Sequence, residues 1–427
     1  MINKKSLLCF FTIAAFLFGS LPGNSQSENW THFRGSNLNG IAVNSKLPLI
    51  WGDSDMKWKT EIHDKGWSSP VIYNNQIWIT TAKNDGKELY AVCVDFQTGK
   101  IVRDILVFTP DTVIKKNDIN SYATPTPCIE KGFVYVHYGS LGTACINTTN
   151  GKIIWKRADF KCDYMMGPAS SPVIYKDLII LHFEGTDANY IVALKKSNGE
   201  VAWRVNRPKE IYDALPSIGR KAYITPILIN VKGRDMLISN GSFVCIAYEP
   251  ATGKEIWRVV RGAESAVAMP FTEKGVVFWF TGFMYAADKS KFCEILAVNP
   301  DGKGDITDSN ILWRKKAEYL QLLSPVVKDG LIYTVDAKNI MMCIDAVTGE
   351  EIWSTRMKAN FNASPVFLNG NIWFFSVKGE VLVIKAGRKY EVVAQNKMDS
   401  GIWATPAFLR NSVIMRTEKY LCRIGGQ

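Results

Sequence analysis

The pattern MMCIDAVTGEEIW, from Met341 to Trp353, limits what this chain can fold into, because it returns along the sequence at the spacing of one small structural unit. Met342 and Ile344 alternate with their neighbours as a half-buried strand requires. Thr348-Gly349 suits a tight turn whose glycine takes a positive φ, and Glu351-Ile352-Trp353 begins another strand. Related stretches lie at Val92 to Val102, Ala144 to Trp155, Ile191 to Trp203 and Ala247 to Trp257. All but the first of these related stretches carry a Trp four residues after the turn glycine: Trp155, Trp203 and Trp257, matching Trp353. A strand-turn-strand unit buries its apolar face only against copies of itself, so the repeat predicts a closed array rather than several independent domains.

A second signal marks where each unit starts. A hydroxyl residue followed by proline occurs at Pro70, Pro127, Pro172, Pro226, Pro325, Pro365 and Pro406, and Pro270 follows Met269 in the same context. Proline is tolerated at the first residue of a strand, where its missing N–H costs no ladder bond. Eight such starts, each followed by room for four strands, predict an all-β fold: an eight-bladed β-propeller of four-stranded antiparallel blades. The last unit runs out at LCRIGGQ after three strands, while MKWKTEI (Met56 to Ile62) reads as an outer strand without a unit. The N-terminal strand is therefore expected to complete the last blade and close the ring.

The propeller then spans residues 56–427, preceded by an extension over 26–55 that is rich in Gly and Asn and reads as ordered but without a strand set. The insertion NPDGKGDITDSN (Asn299 to Asn310) is acidic enough to invite a calcium reading. Ile306 stands where such a loop needs glycine and Leu312 where it needs the bidentate Glu, so a polar hairpin loop is expected.

Residues 1–25 read as a secretory signal peptide: Lys4-Lys5, an apolar run from Leu7 to Leu21, and small residues at Gly23 and Ser25. The run is short for a membrane span, and Cys9 sits inside it after Leu8 rather than at its end, so no membrane anchor is expected after cleavage. The expected location is the periplasm or the exterior. The formal net charge of +11 is carried by basic residues scattered over turns and strand faces, which with export argues against a nucleic-acid partner. Cys93, Cys145 and Cys343 each stand six residues before a turn glycine, where other units have Ala193 and Ala247; they read as buried thiols at a small site. Cys128, Cys162, Cys245, Cys293 and Cys422 find no pairing from sequence. The histidines His32, His63, His137 and His182 lack metal-ligand spacing, although His137 and His182 fall at matching places on second strands.

With Asp95 or Asp345 ahead of Thr-Gly and the Trp beyond, the repeat resembles that of the pyrroloquinoline-quinone-type (PQQ-like) β-propellers. The HFRG of His32 to Gly35, the WSSPV of Trp67 to Val71 and the GKGDIT of Gly302 to Thr307 are similar to an exported bacterial branch of that superfamily. It contains quinoprotein dehydrogenases and the non-catalytic assembly factor BamB. The resemblance implies, for the enzymes, a quinone held by an adjacent-cysteine disulfide and by calcium on acidic and Asn ligands. This chain has no adjacent cysteines and no CxxCH haem site. The expectation is a monomeric binding or scaffold propeller for a protein or glycan, without a cofactor. The alternative is a PQQ- and calcium-dependent sugar or alcohol oxidoreductase with an atypical site. Loops entering the inner strands carry Trp67, Tyr122, Tyr223, Phe361 and Trp403, with Arg220 or Lys221 nearby, and these are the expected binding residues of a central rim. Blades one and eight adjoin in a closed ring, which predicts Trp67 beside Trp403. The competing reading packs these rings over the channel end or under the HFRG extension.

Overall fold

The computed structural model describes residues 29–42, 46–282, 293–317 and 321–425; the expected leader lies outside them. Blade 1 comprises Val71–Tyr73, Gln76–Ala82, Leu89–Asp95 and Ile101–Phe108, each hydrogen-bonded to the next in an antiparallel sheet. The same order repeats in blades 2 to 7, which begin at Cys128, Val173, Ile227, Phe271, Val326 and Val366. Blade 8 takes Ala407–Leu409, Ser412–Arg416 and Tyr420–Gly425 from the C-terminal end. Its fourth strand is Met56–Glu61, antiparallel to the last, with Met56 opposite Ile424 and Glu61 opposite Tyr420. The ring is thus closed as expected, by the N-terminal strand.

Burial follows strand position. Leu178–Glu184, a second strand, is buried along its whole length because neighbouring blades cover both of its faces. Met56–Glu61, an outermost strand, hides only Trp58 fully. First strands of neighbouring blades lie against one another and surround the channel.

A repeated Trp joins one blade to the next at five of the junctions. Trp155 of blade 2 donates Nε1–H to the Lys196 carbonyl of blade 3 at 2.8 Å, and Trp203 of blade 3 to Pro250 of blade 4 at 3.1 Å. Trp313, Trp353 and Trp58 make the equivalent bond to Ala346, Gly387 and Phe96, so the blade 8 to blade 1 junction is built like the others. At four of these junctions, those of Trp58, Trp155, Trp203 and Trp313, the indole lies against the turn glycine of the next blade: a Cβ at Gly99 would stand 2.6 Å from the Trp58 ring, and Gly99 has φ of 72°. The turn glycine therefore answers two demands at once, a left-handed backbone and a close approach. In blade 1 the Trp position is Arg103, whose chain crosses Gly151 and whose guanidinium donates to the carbonyls of Thr148 and Thr149.

The 299–310 insertion differs from the expected hairpin. Gly304–Asp305 leaves blade 5 and runs parallel to Trp257–Arg258 as a fifth strand of blade 4. Trp257, fully buried, packs on no turn glycine of blade 5 among the described residues, and the inserted segment covers the edge instead. The eight described cysteines are all buried and unpaired, with Cys93, Cys145 and Cys343 directly across from Arg103, Trp155 and Trp353.

Candidate functional site at the channel mouth

Residues 29–42 close one end of the channel. Trp30 exchanges backbone bonds with Ile72 of blade 1, Ile129 of blade 2 donates to Thr31, and Ile174 of blade 3 donates to His32 Nε2. Arg34 donates to the Pro325 carbonyl of blade 6, and Gly40 accepts from Phe367 of blade 7, where Ile41–Ala42 adds a short parallel strand. The segment crosses the ends of the inner strands as a plug rather than lying beside the ring. Arg34 is wholly buried, and burial without a carboxylate lowers its pKa to about 9.

At the opposite end, where the inner strands begin, a cavity of about 380 Å³ opens. Phe33 of the plug reaches it from below. The hydroxyl residues that precede the prolines form its wall: Ser69, Thr126, Ser171, Thr225, Ser324, Ser364 and Thr405. Their role was not legible from the Ser/Thr-Pro pattern, which sequence reading assigned to strand starts alone. Along most of this ring a backbone N–H donates to the hydroxyl of the next blade, Ser69 to Thr126 at 2.9 Å, Thr126 to Ser171 at 3.0 Å and Ser171 to Thr225 at 2.9 Å. The chain resumes from Met269 to Ser324 at 3.1 Å, then to Ser364 and Thr405 at 2.9 Å each. A backbone donor that faces the channel, and would otherwise be left unsatisfied, is bonded by a neighbour's side chain.

Over this ring stand the two tryptophans. Trp67 and Trp403 stack with centroids 5.0 Å apart and planes within 13°, and both line the cavity. Each is fixed through its indole N–H, Trp67 on the Ile119 carbonyl at 3.0 Å and Trp403 on Glu418 at 2.9 Å. Lys65 Nζ lies 5.2 Å from the Trp67 ring centre. Tyr223 also lines the cavity, its hydroxyl bonded to the Tyr164 carbonyl at 2.8 Å. The remaining expected rim residues point elsewhere: Tyr122 is buried with its hydroxyl on Ile114, Phe361 is buried edge-on to Phe374, and Arg220 turns Nε to the Leu215 carbonyl. Lys221, rather than Arg220, enters the wall.

Lys221 is buried, with Nζ on the Ile218 carbonyl and 3.5 Å from Glu264. Burial lowers its pKa and Glu264 opposes the shift. Its segment is anchored by a network that sequence reading missed. Glu184, fully buried, accepts from His182 at 2.8 Å, Arg207 at 2.9 Å, Tyr212, and the backbone of Ser242 at 2.7 Å. Ser242 in turn donates to the Lys221 carbonyl at 2.8 Å, and the Glu184 carbonyl accepts from Ala222 at 3.1 Å. Burial alone would raise the Glu184 carboxyl, but Arg207 and its other partners hold it at about 2. His182 is committed to this network, while His137 is bonded to Thr143 at 2.7 Å and packs edge-on against Phe183.

No Asp, Glu, His or Cys is among the described residues lining the cavity, and no group of such residues among those described could hold a metal ion. The wall thus lacks the acidic ligands and catalytic base that the calcium-bound quinone of the resembling enzymes needs. The donor set does not fit that group.

Comparison with known proteins gives three findings. A family model described as outer membrane protein assembly factor BamB matches residues 58–210, 187–304 and 294–403. Tetrathionate hydrolase of Acidithiobacillus ferrooxidans is 22% identical over 375 residues, which span 83% of this chain and 70% of the hydrolase. Among solved structures, BamB from Moraxella catarrhalis superposes with a TM-score of 0.59 at 9% identity, over 86% of this chain and 99% of that one. Quinohemoprotein alcohol dehydrogenase from Comamonas testosteroni superposes at 0.66 and 11% identity, over 94% and 81%. At such identities the structural likeness establishes the fold alone.

Proposed function

From a chain that belongs to the BamB assembly-factor family of PQQ-like propellers, we propose a non-catalytic binding propeller that takes a glycan or a segment of a partner protein at its channel mouth. The observation that carries this is the Trp67–Trp403 stack above a cavity walled by hydroxyls, amides and apolar side chains, with no carboxylate or imidazole in the wall. Glycoside hydrolysis needs a pair of carboxyl groups at the reacting atom, and the one titratable amine among the described wall residues, Lys221, is engaged by the Ile218 carbonyl and Glu264. Recognition needs flat apolar faces and a few placed hydrogen-bonding groups. The protein component of the reading draws on the family, and the glycan component on the aromatic pair.

Export to the periplasm or beyond is part of the same proposal. It is supported by the leader pattern ahead of the fold, and no helix among the described residues is long and apolar enough to cross a membrane. A monomer without a quinone is proposed on the wall's composition and the ring's own closure.

A thermal-shift screen tests the reading, because a ligand that binds only the native state raises the melting temperature by mass action. Oligosaccharides or peptides are expected to give a shift that Trp67→Ala and Trp403→Ala abolish. A saturable shift with PQQ and calcium, accompanied by dye reduction, would overturn it in favour of an oxidoreductase.

A further inference from the structure

The hydroxyl ring has two openings, and their positions say what the cavity receives. Bonds from backbone N–H to hydroxyl bridge blades 1–2, 2–3, 3–4, 5–6, 6–7 and 7–8. Among the described residues no such bond joins Thr405 of blade 8 to Ser69 of blade 1, or Thr225 of blade 4 to blade 5. In an eight-bladed ring those junctions face each other across the channel. Over the first stand Trp67 and Trp403. At the second, Met269 occupies the place of the hydroxyl, and the Thr225 N–H that would donate to it has no hydrogen-bond acceptor among the described residues. Also in the wall is Ser265, whose buried Oγ has no partner among the described residues. Its backbone is held at φ of 60° by donation to the Lys221 carbonyl at 2.9 Å.

A backbone donor and a buried hydroxyl left unsatisfied in the same part of the wall are costly unless a ligand completes them. We infer that the opening between blades 4 and 5 is a subsite for a neutral sugar residue of an oligosaccharide. A sugar hydroxyl there stands in for the missing protein hydroxyl, accepting from Thr225 N–H and exchanging a hydrogen bond with Ser265 Oγ. Met269, Val267 and Tyr223 supply an apolar surface for the sugar's C–H face. Lys221 is engaged by Glu264 and the Ile218 carbonyl, so the subsite presents no uncompensated charge and selects a neutral residue over an acidic one. A second sugar residue of the same chain stacks on the tryptophan pair opposite. This inference rests on the channel-mouth reading above.

Isothermal titration of the protein with cellotetraose, maltotetraose and chitotetraose tests it. At least one is expected to bind. Met269→Thr, which places a protein hydroxyl in the opening, and Ser265→Ala, which removes the donor, are each expected to weaken binding tenfold or more while the melting transition remains single. Should Met269→Thr fail to fold, Ser265→Ala decides alone. Unchanged affinity in the folded variants, with binding lost in Trp67→Ala, overturns the subsite and leaves the mouth reading standing. Binding of peptides but of no tetrasaccharide does the same. Sugar binding that survives both Trp67→Ala and Trp403→Ala sinks the mouth reading as well.

Discussion

Trp58→Ala probes the junction where the two ends of the chain meet. The indole covers the Gly99 turn of blade 1, and its N–H donates to the Phe96 carbonyl at 3.0 Å. Truncating so well buried an indole costs ~3–5 kcal/mol, of which the lost hydrogen bond is about 1 kcal/mol. Gly99→Ala attacks the same contact from the other side. Its φ of 72° penalises any L residue by ~1–2 kcal/mol, and the added methyl enters the Trp58 ring at 2.6 Å. Without Trp58 the collision disappears and only the backbone cost remains. The double variant is therefore expected to be less destabilised than the sum of the single variants, by ~1–3 kcal/mol of coupling. Urea unfolding of the four proteins measures this, and calorimetry shows whether the ring melts as one unit. Coupling within about 0.5 kcal/mol of zero would refute the docking argument. An early melting step confined to blade 8 would refute the claim that this junction holds the whole ring.

Three further outcomes follow from the interior. Ser171→Ala leaves the buried Thr126 N–H without its acceptor and is expected to cost ~1–3 kcal/mol, whereas Ser400→Ala, whose hydroxyl has no partner among the described residues, should leave the urea midpoint nearly unchanged. Arg207→Met strands the Glu184 carboxylate and should cost ~3–5 kcal/mol; a melting temperature equal to wild type would show that Tyr212 and His182 suffice. Burial depresses His32 to about 4 and His137 to about 3 from an ordinary 6.5, so as pH falls the unfolded chain takes up protons first. Their stabilisation is complete above the unfolded value and drains away as pH drops toward the folded values, about 2 kcal/mol each by pH 5. A melting temperature that stays flat from pH 7 to pH 5, or whose slope is unaltered in His137→Gln, would contradict this.

What sequence reading reached and what it missed separate on physical grounds. The turn glycines, the Trp four residues on and the Ala or Cys before them are local and periodic, so blade number and ring closure could be read directly, and with them the adjacency of Trp67 and Trp403. The hydroxyl before each proline was equally visible, but its partner lies in the next blade, some 40 to 57 residues away, as with Thr126 and Ser171. Glu184, Arg207, Tyr212 and Ser242 share no spacing at all, and only folding brings them onto one carboxylate. Phe361 and Tyr122 occupy the right loops, yet their rings turn into the protein, a rotamer choice that no pattern of residue types encodes.

Pairing Met56 with Ile424 also imposes an order of events on biosynthesis. Met56–Glu61 precedes the inner strands of all eight blades and finds its neighbour only once Tyr420–Gly425 has been made, and until then both bear open edges. Nascent blades can pack one upon another as they emerge, but the circle is sealed by encounter of the first and last strands of the ring, a step set by topology and slow in comparison with local hairpin formation. A polypeptide handled this way profits from a holding chaperone that masks strand edges until Tyr420–Gly425 arrives, and it is most vulnerable to proteases and self-association in that interval.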